Sequence, residues 1–318
     1  MTLRKRLGLL VAAAALTAST AVPAAPVFII ILTGGTSGVY YPIGVALSQL
    51  YGNDIEGAKA SVQSTKASVE NLNLLEAGRG ELALALGDAV SDAWNGVEDA
   101  GYKAALKKLR AIAGAYPNYI QIVASADSGI KTLADLKGKR ISVGAPKSGT
   151  ELNARAIFKA AGLTYDDMGK VEYLPYAESV ELIKNRQLDA TLQSSGLGMA
   201  AFRDLAATMP VHFVSIPAEV VAKIESAAYQ PAVIPANTYE GQTEAVPTAA
   251  ITNIFVSHAG VSDDLAYQMT KLMFDHLDRV AAAHAAAKGI KLETAAKNLP
   301  IPLHPGAERF YKEAGALD

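Results

Sequence analysis

The chain has 318 residues, 50% hydrophobic and 19% charged, enough for one large or two medium domains with a full core. Net charge is −2 with no basic face in the pattern, which argues against a nucleic-acid partner. Cysteine is absent, so disulfides, Cys-ligated zinc and thiol nucleophiles are excluded.

The first residues read as an address. Arg4, Lys5 and Arg6 form a positive start, residues 7–16 are apolar, and Val22, Pro23 and Ala24 offer small residues to a signal peptidase. Cleavage is expected after Ala24, with the mature protein in the periplasm. The apolar run is too short for a membrane anchor, which needs about 20 residues. No later stretch is long and apolar enough to span.

Residues 27–32 form a continuous Val/Ile-rich run, the pattern of a strand buried on both faces. The run ends in Thr33-Gly34-Gly35-Thr36-Ser37-Gly38. From Pro42 onward Ile43, Leu47 and Leu50 recur at helical spacing. Short strands are expected at 60–62 and 82–86, with a helix carrying Val69, Leu72 and Leu75 between them and Gly78 ending it. This βαβα order predicts an α/β fold with a mostly parallel sheet.

The pattern then restarts. Residues 119–124 and 140–143 read as strands, separated by a short helix or turn at 131–136. The second strand runs into Gly144-Ala145-Pro146-Lys147-Ser148-Gly149-Thr150, and a helix with Leu152, Ala156 and Ala160 on one face follows. Further strands are expected at 171–174, 189–192, 211–216 and 251–256. The tail from Ser262 is mainly helical, with Ser262 as cap and Asp263 and Asp264 in the first turn. Two α/β units in one chain predict a ligand held between lobes. The first crossing is expected near 110–116 and the return within 236–252.

Three helix starts can carry the chemistry: Thr36, Ser37, Gly38, Val39 and Tyr40; Ser64, Thr65 and Ser68; Ser148, Gly149 and Thr150. Each can present unpaired N–H groups and hydroxyls at the positive end of a helix dipole, which suits an anion. For any one of them alone, simple capping is the plainer explanation. Asp88 follows a strand and can face the cleft, although a loop or helix-start role fits it as well. Ser194, Ser195 and Gly196 follow the strand expected at 189–192 and complete the candidate ligand contacts. Other chemistries find little support. GxxxxGK[ST] and GxGxxG are absent, and no two of the five histidines stand four apart. Ser195 lies outside any GxSxG motif. No cofactor and no metal are expected.

Taken together, TGGTSGVYYPIG (33–44), STKASVENLNLLEAG (64–78), the stretch 129–163, ESVELIKNRQLDATLQSSG (178–196) and IPLHPGAERFYKEAG (301–315) resemble the TAXI solute-binding proteins. These serve tripartite ATP-independent periplasmic (TRAP) transporters. The resemblance implies a type II periplasmic binding protein fold, with residues 25–115 and 237–318 as one lobe and 116–236 as the other. It implies a monomer that closes on glutamate, 2-oxoglutarate or a related dicarboxylate and delivers it to a TRAP permease. Lys147, Gly87 and Gly198 depart from the residues usual in that family. The alternatives are a protein of the same fold serving an ATP-driven importer or a sensor, and an exported hydrolase built on Ser148 or Ser195.

Overall fold

The computed structural model describes residues 26–318; the expected signal segment and its cleavage site lie outside the described residues. The strands are β1 (Val27–Leu32), β2 (Ala58–Gln63), β3 (Leu82–Leu86), β4 (Leu109–Ser125), β5 (Arg140–Ser142), β6 (Lys170–Glu172), β7 (Ala190–Ser195), β8 (Val211–Val214), β9 (Gln230–Ile234) and β10 (Val246–His258). The helices are α1 (Tyr40–Asp54), α2 (Ser68–Glu76), α3 (Gly87–Asn95), α4 (Gly149–Ala160), α5 (Tyr176–Lys184), α6 (Ala200–Thr208) and α7 (Ala218–Val221), then α8 (Asp263–Asp275), α9 (Leu277–Ala283), α10 (Leu292–Ala295) and α11 (Pro305–Glu313).

All ten strands join one sheet, ordered β2-β1-β3-β10-β4-β7-β5-β6, with β8 added to β4 and β9 to β10. The end groups are parallel: β1 pairs with β2 and β3, and β5 with β6 and β7. The expected βαβα units therefore lie at the two ends. Between them run two long antiparallel strands, β4 and β10. One edge of β10 changes partner along its length: residues 246–250 pair with β9, and 253–256 with β3. The register shift between Thr252 and Ile254 marks this change.

Side-chain alternation divides the core into two layers. Leu82 and Leu84 of β3 pack with Ile29 and Ile31 on one face. Ala83 and Ala85 face the other cluster, with Leu72 and Leu75 of α2. Helix α1 covers the first face through Ile43, Leu47 and Leu50, all buried. Gly44 lets it approach closely, because a Cβ there would stand 2.5 Å from the Thr33 methyl. The Ser262 hydroxyl caps α8 by accepting from Leu265 N–H, as the sequence pattern predicts.

Candidate functional site

A cavity of about 190 Å³ opens where the strands at both ends of the sheet hand over to helices. Four helix starts border it: Val39 and Tyr40 of α1, Ser68 of α2, Ser148 and Thr150 of α4, and Pro175 and Tyr176 of α5. The first N–H groups of a helix have no partner within it, so each start presents donors and partial positive charge. Lys66 is the one charged residue of the lining, and no carboxylate joins it.

The backbone around the helix starts is held in uncommon conformations. Ala67, just before α2, has φ +68°, and Lys147, just before the cap of α4, has φ +61°. Both lie in the left-handed region that favours glycine, so surrounding bonds must hold them there. Ala67 N–H donates to Thr65 Oγ1 (2.9 Å), and Ser148 Oγ accepts from Glu151 N–H (3.2 Å).

Ten of the fifteen expected contact residues line the cavity: Gly38, Val39, Tyr40, Ser64, Thr65, Ser68, Ser148, Thr150, Ser194 and Ser195. Thr36, Ser37, Asp88, Gly149 and Gly196 do not, and each absence has a physical reason. Thr36 faces solvent. The Ser37 carbonyl accepts from Ala201 N–H of α6 (3.3 Å). Gly149 sits against the start of α2, where a Cβ would lie 2.7 Å from Ser68 Oγ and 2.6 Å from Leu86. Gly196 packs beside Val39, Tyr116 and Ala286. Asp88 is buried behind the lining, where Oδ2 accepts from Asn153 Nδ2 (2.7 Å) and from the Tyr229 hydroxyl (2.8 Å). Burial pushes its carboxyl up to about 6, against the pull of those bonds.

The sequence reading overlooked Tyr176. Its hydroxyl donates to the Ser194 carbonyl (2.6 Å) and bonds Thr150 Oγ1 (2.5 Å). Burial pushes it up to about 12, so it stays a phenol. Tyr40 donates to Asn253 Oδ1 on β10 (2.5 Å), linking α1 to the long strands. A tyrosine next to a proline, in a stretch without an apolar period, carries no sequence signal for this role. Among the described residues no cluster of His, Asp and Glu is arranged to hold a metal, and no helix is long and apolar enough to cross a membrane.

Comparison with known proteins corrects the TAXI resemblance. Residues 31–315 match the NMT1-like family. Among solved structures, the chain is similar to PhnD1 from Prochlorococcus marinus (MIT 9301) in complex with methylphosphonate: TM-score 0.55, 10% identity, 91% of this chain and 99% of that one covered. It is also similar to the alkanesulfonate-binding protein SsuA from Xanthomonas axonopodis pv. citri bound to MOPS, with TM-score 0.50, 17% identity and coverage of 91% and 84%. A third is an ancestral arginine-binding protein bound to arginine, at TM-score 0.50, 14% identity and coverage of 82% and 98%. At these identities the likeness establishes the fold, the mixed α/β architecture of type II periplasmic binding proteins.

Proposed function

The chain belongs to the NMT1-like family, and from that premise we propose that it is a periplasmic solute-binding protein for a small organic anion. The carrying observation is the convergence of four helix starts on one cavity that Lys66 borders and no carboxylate enters. Converging N–H donors hold an oxyanion without requiring an arginine. The apolar part of the lining, Val39, Leu86, Ala145 and the Tyr176 ring, suits a short organic group on that anion. Two of the similar structures hold organic anions, methylphosphonate in one and MOPS in the other.

In this reading the molecule has two lobes. One runs from residue 26 to about 115 and resumes at about 253; the other is 116–252. We take β4 and β10 to join them and the partner change at Thr252 as the return crossing, later in the chain than the boundary at 236 expected from the sequence. Ligand closes the lobes because it gains contacts from both only when they meet. The loaded form then docks on an ATP-driven importer, the partner we propose in place of a TRAP permease. The role proposed is to bind and deliver the ligand without transforming it.

Calorimetric titration with methylphosphonate, ethanesulfonate and short carboxylates tests the proposal. Saturable binding of at least one, one ligand per chain, supports it. A panel in which none binds, or in which product accumulates, overturns it.

A further inference from the structure

The directions of the hydrogen bonds around the cavity specify more than an anion. Nine hydroxyl side chains line it: Tyr40, Ser64, Thr65, Ser68, Ser148, Thr150, Tyr176, Ser194 and Ser195. A hydroxyl has one proton to donate and two lone pairs with which to accept. Once the proton is used inside the protein, the oxygen can only accept from a ligand.

On the α4/α5 side three hydroxyls are in this state. The Ser194 backbone carbonyl can only accept, so Tyr176 donates to it (2.6 Å). Thr150 must then donate to the Tyr176 oxygen across their 2.5 Å contact. Ser194 Oγ donates to Asn153 Oδ1 (2.7 Å). That direction is imposed from behind the cavity, because the Asn153 amide points its Nδ2 at Asp88 Oδ2 (2.7 Å) and at the Tyr229 oxygen (2.8 Å). Asp88 and Asn153 are both buried and therefore act as positioning residues for Ser194. On the opposite side Tyr40 donates to Asn253 Oδ1 (2.5 Å), whose Nδ2 is held by the Tyr116 carbonyl (3.0 Å).

We infer that the ligand carries a hydrogen-bond donor of its own, a hydroxyl or an ammonium, that meets the acceptor oxygens of Thr150, Tyr176 and Ser194. The inference rests on the anion-binding reading above and narrows its ligand class to hydroxy- or amino-substituted organic anions. An anion with acceptors alone that sits against these three oxygens places lone pairs against lone pairs, and their remaining acceptor sites go unfilled. A site built to bond a ligand O–H or N–H discriminates strongly against the analogue that lacks it.

The test compares matched anions on the full chain by calorimetry: ethanesulfonate against isethionate and taurine, and propionate against lactate and alanine. The expected result is binding at least about tenfold tighter for the donor-bearing members of a series. In Ser194→Ala and Thr150→Val that ratio shrinks. The ratio is taken within each variant, so a partly unfolded fraction does not affect it, and thermal melts confirm the fold. Equal affinities within each series overturn the donor requirement and leave the anion cradle standing. A panel in which no member binds overturns both. An unchanged ratio in both variants overturns the assignment to Thr150 and Ser194.

Discussion

Asn153 Nδ2 lies 2.7 Å from Asp88 Oδ2, and this bond ties α4 at one end of the sheet to α3 at the other. It is one of several bonds and contacts that bridge the two end groups around the cavity, along with Ala201 N–H to Ser37 O and Gly149 against Ser68. Closure of the proposed lobes therefore depends on close-fitting, directional contacts and can be perturbed one residue at a time.

Gly149→Ala should act as a wedge. Its Cβ would stand 2.6–2.7 Å from Leu86 and Ser68, both buried, so one side must move. The expected outcome is a loss of ligand affinity of about tenfold, near 1.4 kcal/mol. Solution scattering should show a saturated variant less compact than the saturated parent. An affinity equal to that of the parent would show that α2 and α4 need not meet this closely.

Gly38→Ala should be far milder. A Cβ at that position meets the Gly35 carbonyl at 3.5 Å and the Tyr176 ring at 3.6 Å, ordinary van der Waals distances. We expect an affinity within about threefold of the parent, near 0.6 kcal/mol. The pair of glycine variants separates close packing between the halves from general sensitivity near the cavity, and titration calorimetry reads both.

Tyr176→Phe removes the hydroxyl that serves the Ser194 carbonyl and Thr150. Two buried groups lose a partner, which should lower unfolding stability by about 1–3 kcal/mol. Urea unfolding followed by circular dichroism measures this. A change under about 0.5 kcal/mol, the scatter of neutral surface substitutions, would mean that water replaces the hydroxyl at no cost.

Asp88 gives a pH dependence with a defined sign. Its carboxyl is raised from an ordinary 3.8 to about 6, mainly by burial, with neighbouring Asp92 adding to the rise. Between these values the folded chain holds a proton that the unfolded chain has released. The contribution of this group to stability therefore falls as pH rises from about 4 to 6 and is level above. Carboxylates with lowered values, such as Asp189 beside Arg140, contribute the opposite slope. The difference between parent and Asp88→Asn melting curves across pH 4–7 isolates the group. A difference that does not vary with pH would contradict the assignment.

Lys66→Met removes the one charged group of the lining. Because Lys66 is exposed, its attraction for an anion is screened by salt. Affinity should fall several-fold at low salt, and the salt dependence of binding should flatten. Parallel salt titrations of parent and variant check both, and identical slopes would take Lys66 out of the anion's environment.

Much of this fold is legible in the sequence because its causes are local. The Val/Ile run of β1 and the Leu/Ala run of β3 match their observed bounds, since a continuous apolar stretch between turn residues has few other uses. The Ser148 and Ser262 caps follow from short-range hydrogen bonding. Strand β4 is only half visible, because its first part holds the small residues Ala111, Ala113, Gly114 and Ala115 followed by Tyr116, Pro117 and Asn118, and takes its pairing from β10, far along the chain. The edge strand β9, with Pro231 and an exposed Val233, has no apolar pattern of its own. The family resemblance drawn from motifs needed correction, since helix-start chemistry is shared by many anion cradles and does not identify the transporter served. Tertiary structure alone decided which hydroxyls accept and which donate. Asp88, expected among the ligand contacts, stands behind the cavity lining, and Tyr176, unmarked in the sequence, belongs to it. Both placements depend on how two distant helices meet across the sheet, and no residue's own neighbours in the chain encode that.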